Sequence, residues 1–398
     1  GWWDSLVGPG KPLNTNKFYI VRFTRSGNNI KAYLDKNTIP EIDVTLLHTT
    51  PITTNYIGSY NHDSGSDGYF NGKMYDVRIF NKSLNEDEIL YRCINDKKYE
   101  FINNLFTNNI IDLDINSGTY GAFLTNLGTI ITDSYVHKIK DIELLDLNSV
   151  VRNDIKEYLE KYIKLAKCQL VDTTKKYSLF TIQGPKSKYL VSKFTGGDID
   201  NMKELDIDIF QIKKIETFII KKSRTGELGY DIYVRNVHAK KIFKEILEVG
   251  VDFDLMLFGY KALESLRIEA GVKKYGEDFD NKNFLHELDN FEGMIDYNKG
   301  SFIGQEIITP VKYRSEAPRK IVGLVVFEKL PKKENPVMID KQMIGVIKSA
   351  VYSPTLKKNI ALANIAKDYC EFGTKLEVLI NKEKFSAEVV NLPFYIRN

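Results

Sequence analysis

The segment from Leu257 to Glu306 constrains this chain more than any other. It opens on a helical pattern: Leu263, Leu266 and Ala270 recur at helical spacing, Glu264, Arg267 and Glu269 interleave with them, and Gly271 stands where a helix stops. The spacing predicts a helix with one charged edge. A polar, partly acidic passage follows, and the segment closes on Lys299, Gly300, Ser301, Phe302, Ile303, Gly304, Gln305 and Glu306. Two glycines that bracket Ser, Phe and Ile predict a tight backbone path against a packed wall.

A chain of 398 residues is too long for one ordinary core and points to roughly two or three domains. Its 43% hydrophobic and 27% charged content is that of a globular protein in water. With 56 basic and 53 acidic residues the net charge is only +3, which gives no argument for nucleic-acid or membrane partners. Cys93, Cys168 and Cys370 lie far apart and form no CxxC pair, so neither a disulfide framework nor a zinc site is expected. No histidine pair has HxxxH spacing, and no metal site is expected. A reducing compartment fits best: the cytoplasm, or the mitochondrial matrix in a eukaryote. No apolar run reaches the ~18 residues of a membrane span. The chain starts at Gly1 rather than Met, so the beginning of the protein, with any leader, is expected upstream.

Residues 1–92 read as β-structure. Strand patterns at 18–23 and 30–34 flank Ser26-Gly-Asn-Asn29, a hairpin signal, and strand patterns recur at 56–58 and 72–80. Ser83 to Glu86 forms a capping-box pattern that predicts a short helix through Ile89 and Leu90. Asp35, Asp63 and Asp67 are read as turn formers rather than calcium ligands. Residues 93–315 mix helix and strand. An amphipathic helix is predicted at 153–169, with Ile155, Leu159, Tyr162, Ile163 and Ala166 on one face. Strands are predicted at 177–182, 213–221 and 229–234, and a helix at 238–249 with Gly250 as its stop. Residues 316–398 return to β: strands at 320–327, 343–349 and 359–363 surround Tyr352-Ser-Pro-Thr-Leu356.

Several ordered runs resemble one family. LRIEAG at 266–271 and KGSFIGQE at 299–306 resemble landmarks of the folate-binding family that contains the glycine-cleavage T-protein (an aminomethyltransferase) and the YgfZ-type iron–sulfur maintenance proteins. FINNLFTNNI at 101–110, QGPKS at 183–187, RTGELGYDIYV at 224–234, YSPTL with NIALA, and NLPFY at 391–395 resemble the same family in order. Residues 1–92 resemble the C-terminal half of a laminin-G-like, concanavalin-type jelly-roll, with YFNGKMYDVRIFNKSLNEDEI as the closest segment. The resemblance implies an α+β fold: a partial jelly-roll at 1–92, a folate-binding core at 93–315 and a C-terminal β-barrel at 316–398. The family's first strand, ahead of residue 101, is not recognisable. Residues 1–92 are therefore a natural fusion or the mark of a truncated chimera. A jelly-roll of this kind implies a glycan or protein partner, or a structural module without a ligand.

The resemblance also implies site residues and a cofactor, tetrahydrofolate or a one-carbon derivative. Glu227 matches the glutamate that accepts the two adjacent N–H donors of a pterin edge. A lone TGE run, by contrast, is a common exposed turn. Arg267 matches an arginine suited to a folate carboxylate, or to a salt bridge with Glu264 or Glu269. Tyr120 matches a tyrosine that stacks near the pterin, or is an inward-facing strand aromatic. Asp133 matches the second acid of the T-protein's paired aspartates and is the implied catalytic group, with Thr132 in place of the first. Ser301 stands where YgfZ-type proteins carry a reactive cysteine; a hydroxyl without a histidine partner offers no thiol chemistry.

Gln305, Leu263 and Thr132 lean toward the YgfZ branch. That makes a tetrahydrofolate-binding protein supporting iron–sulfur enzymes the first reading, with iron–sulfur proteins as implied partners. The alternative is an aminomethyltransferase that moves a one-carbon unit onto tetrahydrofolate beside glycine-cleavage proteins. A third is a lectin-like module carried on an inactive folate-type scaffold.

Overall fold

The computed structural model describes residues 98–140, 142–166, 169–288, 291–314 and 317–396, with short strands ahead of them. The chain divides into a unit over Gly1–Val77 and a unit over Arg78–Asn398. In the first, β1 (Val21–Ser26), β2 (Asn29–Leu34) and β3 (Ile42–Thr45) form an antiparallel sheet in that order. Ser26 pairs with Asn29, so the hairpin predicted there forms. β4 (Ser59–Tyr60) pairs with β5 (Gly68–Tyr69). The strands expected at 56–58 and 72–80, the cap at 83–86 and the three loop aspartates lie outside the described residues.

The second unit begins with a correction. Ile89 and Leu90 are not helical: they belong to β6 (Glu88–Ile94), which pairs antiparallel with β9 (Ile142–Asn148) and β10 (Gln169–Asp172). With β7 (Ser117–Leu124) and β8 (Ile130–Ile139) they form a five-stranded sheet in the order β10-β6-β9-β8-β7. β6 thus places a strand ahead of residue 101, and residue 92 lies within it. Long-range pairing overrode the local helix-start pattern.

One face of this sheet is packed. In β8, Ile130, Thr132, Ser134 and Val136 are buried while the alternating Ile131, Asp133 and Tyr135 are half-buried, as the period of two requires. α1 (Lys98–Asn103) and α2 (Arg152–Ala166) cover the packed face, α2 through Ile155, Tyr158 and Leu159. A second antiparallel sheet runs β11 (Tyr177–Gln183), β14 (Gly229–Arg235), β13 (Ile215–Lys221), β12 (Ile207–Ile212). It is backed by α3 (Ser187–Thr195) and α4 (Asn236–Gly250). The strand predicted from 213 starts later, because Lys213 and Lys214 take positive φ values of 49° and 65° and form the hairpin turn into β13. α4 runs through Gly250 into a 3-10 turn and stops at Asp254, whose φ is 57°. Gly250 is not the stop but a close contact, since a Cβ there would lie 2.3 Å from Leu255. The two sheets meet through Ile139, Leu144, Tyr177, Ile207, Ile220 and Tyr233.

α5 (Tyr260–Glu269) follows, then a loop, then α6 (Gln305–Arg314). β15 (Arg319–Val326), β16 (Pro336–Ile339), β17 (Gln342–Ser353), β18 (Lys358–Ala366), β19 (Lys375–Ile380) and β20 (Glu383–Val390) close a six-stranded barrel in the order β15-β18-β17-β16-β19-β20. β17 runs unbroken to Ser353, through a register shift between Ile347 and Ser349. Leu324, Ile347, Ala361, Ala363 and Val378 fill the barrel, while Ile321, Val325, Ile360 and Leu362 join the core of the first sheet.

Candidate active site

The face of the first sheet opposite its helices carries Tyr120, Asp133 and Tyr135, each half-buried. Strand register sets Tyr120 opposite Tyr135, and Tyr135 opposite Asp146 on the other side. The Tyr120 and Tyr135 rings stack at 4.5 Å, and the Tyr120 hydroxyl donates to Asp133 Oδ2 at 2.8 Å. Asp133 and Tyr120, two of the residues singled out from sequence, are therefore in direct contact. Burial pushes the Asp133 carboxyl above its ordinary range, against the Tyr120 hydrogen bond and the charge of Lys222. Burial and the Asp133 charge raise the Tyr120 phenol well above its own range, so Tyr120 stays a donor. Thr132 points the other way, into the core, and donates to the Asp133 carbonyl at 2.9 Å. A second acid at that position would not share the Asp133 face.

Behind the tyrosines lies a group that the sequence reading did not find. Lys222, only 3% exposed, donates to Asp146 Oδ2 at 2.7 Å and stands 3.9 Å from Asp231 Oδ2. Arg224 Nε and Nη2 bind Asp231 at 2.9 and 2.6 Å. The Lys222 ammonium also sits 3.5 Å from the centre of the Tyr135 ring. Burial alone would raise Asp146, but Lys222 and Arg224 hold it below its ordinary value. His137, one strand period beyond Tyr135, is fully buried and pushed down to about 4 by burial, with Nδ1 3.1 Å from the Leu205 carbonyl. The available sequence cue was Asp231, a lone acid between Tyr230 and Ile232 in a strand buried on both faces.

Glu227 is half-buried on the loop that leads into β14. Gly226 beside it has φ 76°, and a Cβ there would come within 2.9 Å of the Ala270 Cβ. The loop therefore rests on the end of α5, and only glycine permits that approach. Gln183, from the QGPKS turn, pins the same loop by accepting from Arg224 N at 2.9 Å and donating to the Lys222 carbonyl at 3.0 Å.

In α5 the fully buried residues are Arg267, Ile268 and Glu269, while Leu263, Leu266 and Ala270 are half-buried. Arg267 contacts Glu264 through two nitrogens, the Val272 carbonyl at 2.7 Å and Asp278 Oδ2 at 2.6 Å. Of the two roles weighed for Arg267, the salt bridge with Glu264 forms, joined by Asp278. Glu269 is not its partner; it accepts from Ser353 at 2.5 Å and Thr355 at 3.0 Å, both at the barrel.

The 299–306 segment packs against the core through Lys299, Phe302 and Gly304. Lys299 donates to the Asn103, Phe106 and Asn108 carbonyls and to Asn103 Oδ1, closing the end of α1. Burial pushes its amine down to about 7, against the pull of Asp296. Phe302 is buried in the main core. Gly300 and Gly304 have φ 99° and 85°, and a Cβ on Gly304 would lie 2.8 Å from the Thr125 carbonyl, which is the packed wall expected. Gln305 accepts from Phe302 N at 3.3 Å, and Ser301 and Glu306 are exposed. Of the cysteines, Cys370 lies in the barrel region; the side chains of Cys93 and Cys168 lie outside the described residues.

A groove of about 550 Å³, lined by Asp112, Asp114, Asp198, Glu204, Asp206 and Asp208, contains none of the residues singled out from sequence. Among the described residues no group of three or more His, Cys, Asp or Glu is placed to hold a metal ion. No helix among them is long and apolar enough to cross a membrane.

Residues 96–299 match the GCVT N-terminal domain, and residues 319–395 match the glycine cleavage T-protein C-terminal barrel domain. The chain belongs to the glycine-cleavage T-protein family. Residues 1–90 match the concanavalin A-like lectin/glucanases superfamily. An aminomethyltransferase of Caldanaerobacter subterraneus is 32% identical over 305 residues, covering 75% of this chain and 80% of the relative. One of Bacillus velezensis is 32% identical over 302 residues, 75% and 81% of the two chains. The crystal structure of the glycine cleavage system aminomethyltransferase T of Bartonella henselae superposes with a TM-score of 0.70 at 20% identity, covering 78% of this chain and 84% of that one. Membership of the T-protein family accounts for the two-sheet core and barrel. The relatives carry the name aminomethyltransferase, the alternative weighed from sequence, rather than the YgfZ-type function placed first.

Proposed function

We propose that this chain binds tetrahydrofolate and acts as an aminomethyltransferase, moving a one-carbon unit from an aminomethyl carrier of the glycine-cleavage type onto the folate. The observation that carries the reading is the Asp133–Tyr120 pair: a half-buried carboxyl, raised by burial and oriented by a phenol, on the sheet face opposite the covering helices. Such a carboxyl can hold or pass a proton at a folate nitrogen. Glu227 offers a carboxylate for the pterin N–H pair on a loop fixed by Gly226 and Gln183. The thiol chemistry of the YgfZ branch finds no support at Ser301, an exposed hydroxyl. Arg267 enters the reading only as support for α5.

Calorimetric titration of tetrahydrofolate into the full chain and into Glu227→Ala tests binding. Micromolar affinity in the wild type, lost in the variant, is expected. No heat at millimolar folate from the folded chain overturns the reading.

A further inference from the structure

We propose that Lys222 is a positioning residue for the chemistry at Asp133: its ammonium, held by Asp146 and Asp231, anchors the Tyr135–Tyr120 stack that orients the Asp133 carboxyl. The inference rests on the proposed function, and it assigns work to a residue that the sequence motifs do not single out.

The geometry is a relay of contacts with one fixed end. Lys222 and Asp146 are 4% and 3% exposed at the side chain, so their 2.7 Å ion pair is shielded from water and from salt. Asp231, wholly buried, lies 3.9 Å away and is itself held by Arg224, which makes two cations against two carboxylates. A neutral quartet of this kind satisfies its charges internally, and it joins β9 of the first sheet to β14 of the second. The ammonium faces the Tyr135 ring at 3.5 Å, a distance at which the ring's negative face attracts it. Tyr135 in turn stacks on Tyr120, and Tyr120 donates to Asp133. Moving Lys222 therefore moves the tyrosine pair that fixes the carboxyl.

The same ammonium acts on Asp133 through space. The groups that bear on Asp133 are Tyr120 from β7, Tyr135 on its own strand, Asp146 from β9, Lys222 from the segment before β14 and Tyr275 from the loop after α5; His137, Arg224 and Asp231 act on Lys222, Asp146 or Tyr135 around it. Among these, Lys222 lowers the Asp133 pKa and Asp146 raises it, with Lys222 the larger effect. Loss of the cation removes the lowering contribution, and loss of both charges removes only the difference between two opposed effects.

The test uses the full chain carrying ¹³C-labelled aspartate, with the Asp133 resonance assigned from Asp133→Asn. Lys222→Met is expected to move the Asp133 titration midpoint to higher pH, and Lys222→Arg, which keeps the charge, to return it toward wild type. Lys222→Met/Asp146→Leu, which buries no lone carboxylate in that pair, is expected to move it up by less, and it carries the test if the single variant does not fold. In the transfer assay kcat is expected to fall about tenfold in the double variant, with tetrahydrofolate Kd within about twofold of wild type. A midpoint that stays at the wild-type pH in the folded variants overturns the role of Lys222. The two ideas separate cleanly: a wild-type chain that binds no tetrahydrofolate refutes the folate reading, and the Asp133 titration still judges Lys222.

Discussion

Replacing Arg267 by Met separates a folate ligand from a structural cation. Arg267 is 6% exposed, and its partner Asp278 is wholly buried. Asp278 also accepts from Ser349 Oγ of β17 at 2.5 Å and from Lys274 N at 2.9 Å. One carboxylate therefore ties α5, the loop after it and the barrel together. Removing the guanidinium strands that charge, and breaking a buried pair by deleting one partner costs about 3–5 kcal/mol. The thioether refills most of the volume, so little of this arises from a cavity. Arg267→Met/Asp278→Asn removes the stranded charge, and its cost should drop to about 1–2 kcal/mol, the scale of the lost neutral hydrogen bonds. Urea denaturation followed by the barrel and core tyrosines reads the midpoints. The ranking wild type, double variant, single variant is expected, with folate affinity falling only as far as the fold does. An Arg267→Met chain with wild-type stability and no tetrahydrofolate binding refutes the reasoning and returns Arg267 to the ligand site.

Asp133→Asn keeps the Tyr120 contact but cannot exchange a proton; a rate loss of about 10²- to 10⁴-fold with folate binding retained is expected in the transfer assay. Gly226→Ala forces a side chain onto φ 76° and against Ala270, so Glu227 shifts and folate affinity should fall about tenfold by calorimetry. His137, at about 4 in the fold against 6.5 unfolded, binds its proton more readily in the unfolded chain. Stability is therefore complete above pH 6.5 and is lost as pH falls toward 4, by roughly 3 kcal/mol, and His137→Asn should flatten that window in pH-dependent denaturation. Ser301→Cys places an accessible thiol on an exposed position; rapid maleimide labelling with a stability change under about 0.5 kcal/mol is expected.

Much of the architecture was legible in local pattern. The period of α2, the left-handed Gly271 after α5, the 26–29 hairpin and the barrel strands each follow from residues close together in sequence. The family motifs carried the order of the elements, and with it Asp133, Tyr120 and Glu227. The misreadings have one cause. β6 carries a helix-start pattern ahead of it yet pairs with strands some fifty and eighty residues away. Lys213 and Lys214 look like strand residues but turn, because the register of β12 on β13 leaves no other place for the hairpin.

The sequence by itself determined much of the order of helices and strands, the tight glycine path at 300–304 and the family to which the chain belongs, because those depend on spacing and on backbone freedom that each residue brings with it. Only the tertiary structure decided what the charged residues do. Arg267 reads as the charged edge of a helix, for a folate carboxylate or a salt bridge, and is an interior cation; Lys222 reads as one lysine among many and is the centre of a buried quartet. Desolvation sets the value of a charge, and burial is a property of packing between distant segments rather than of any residue's neighbours along the chain.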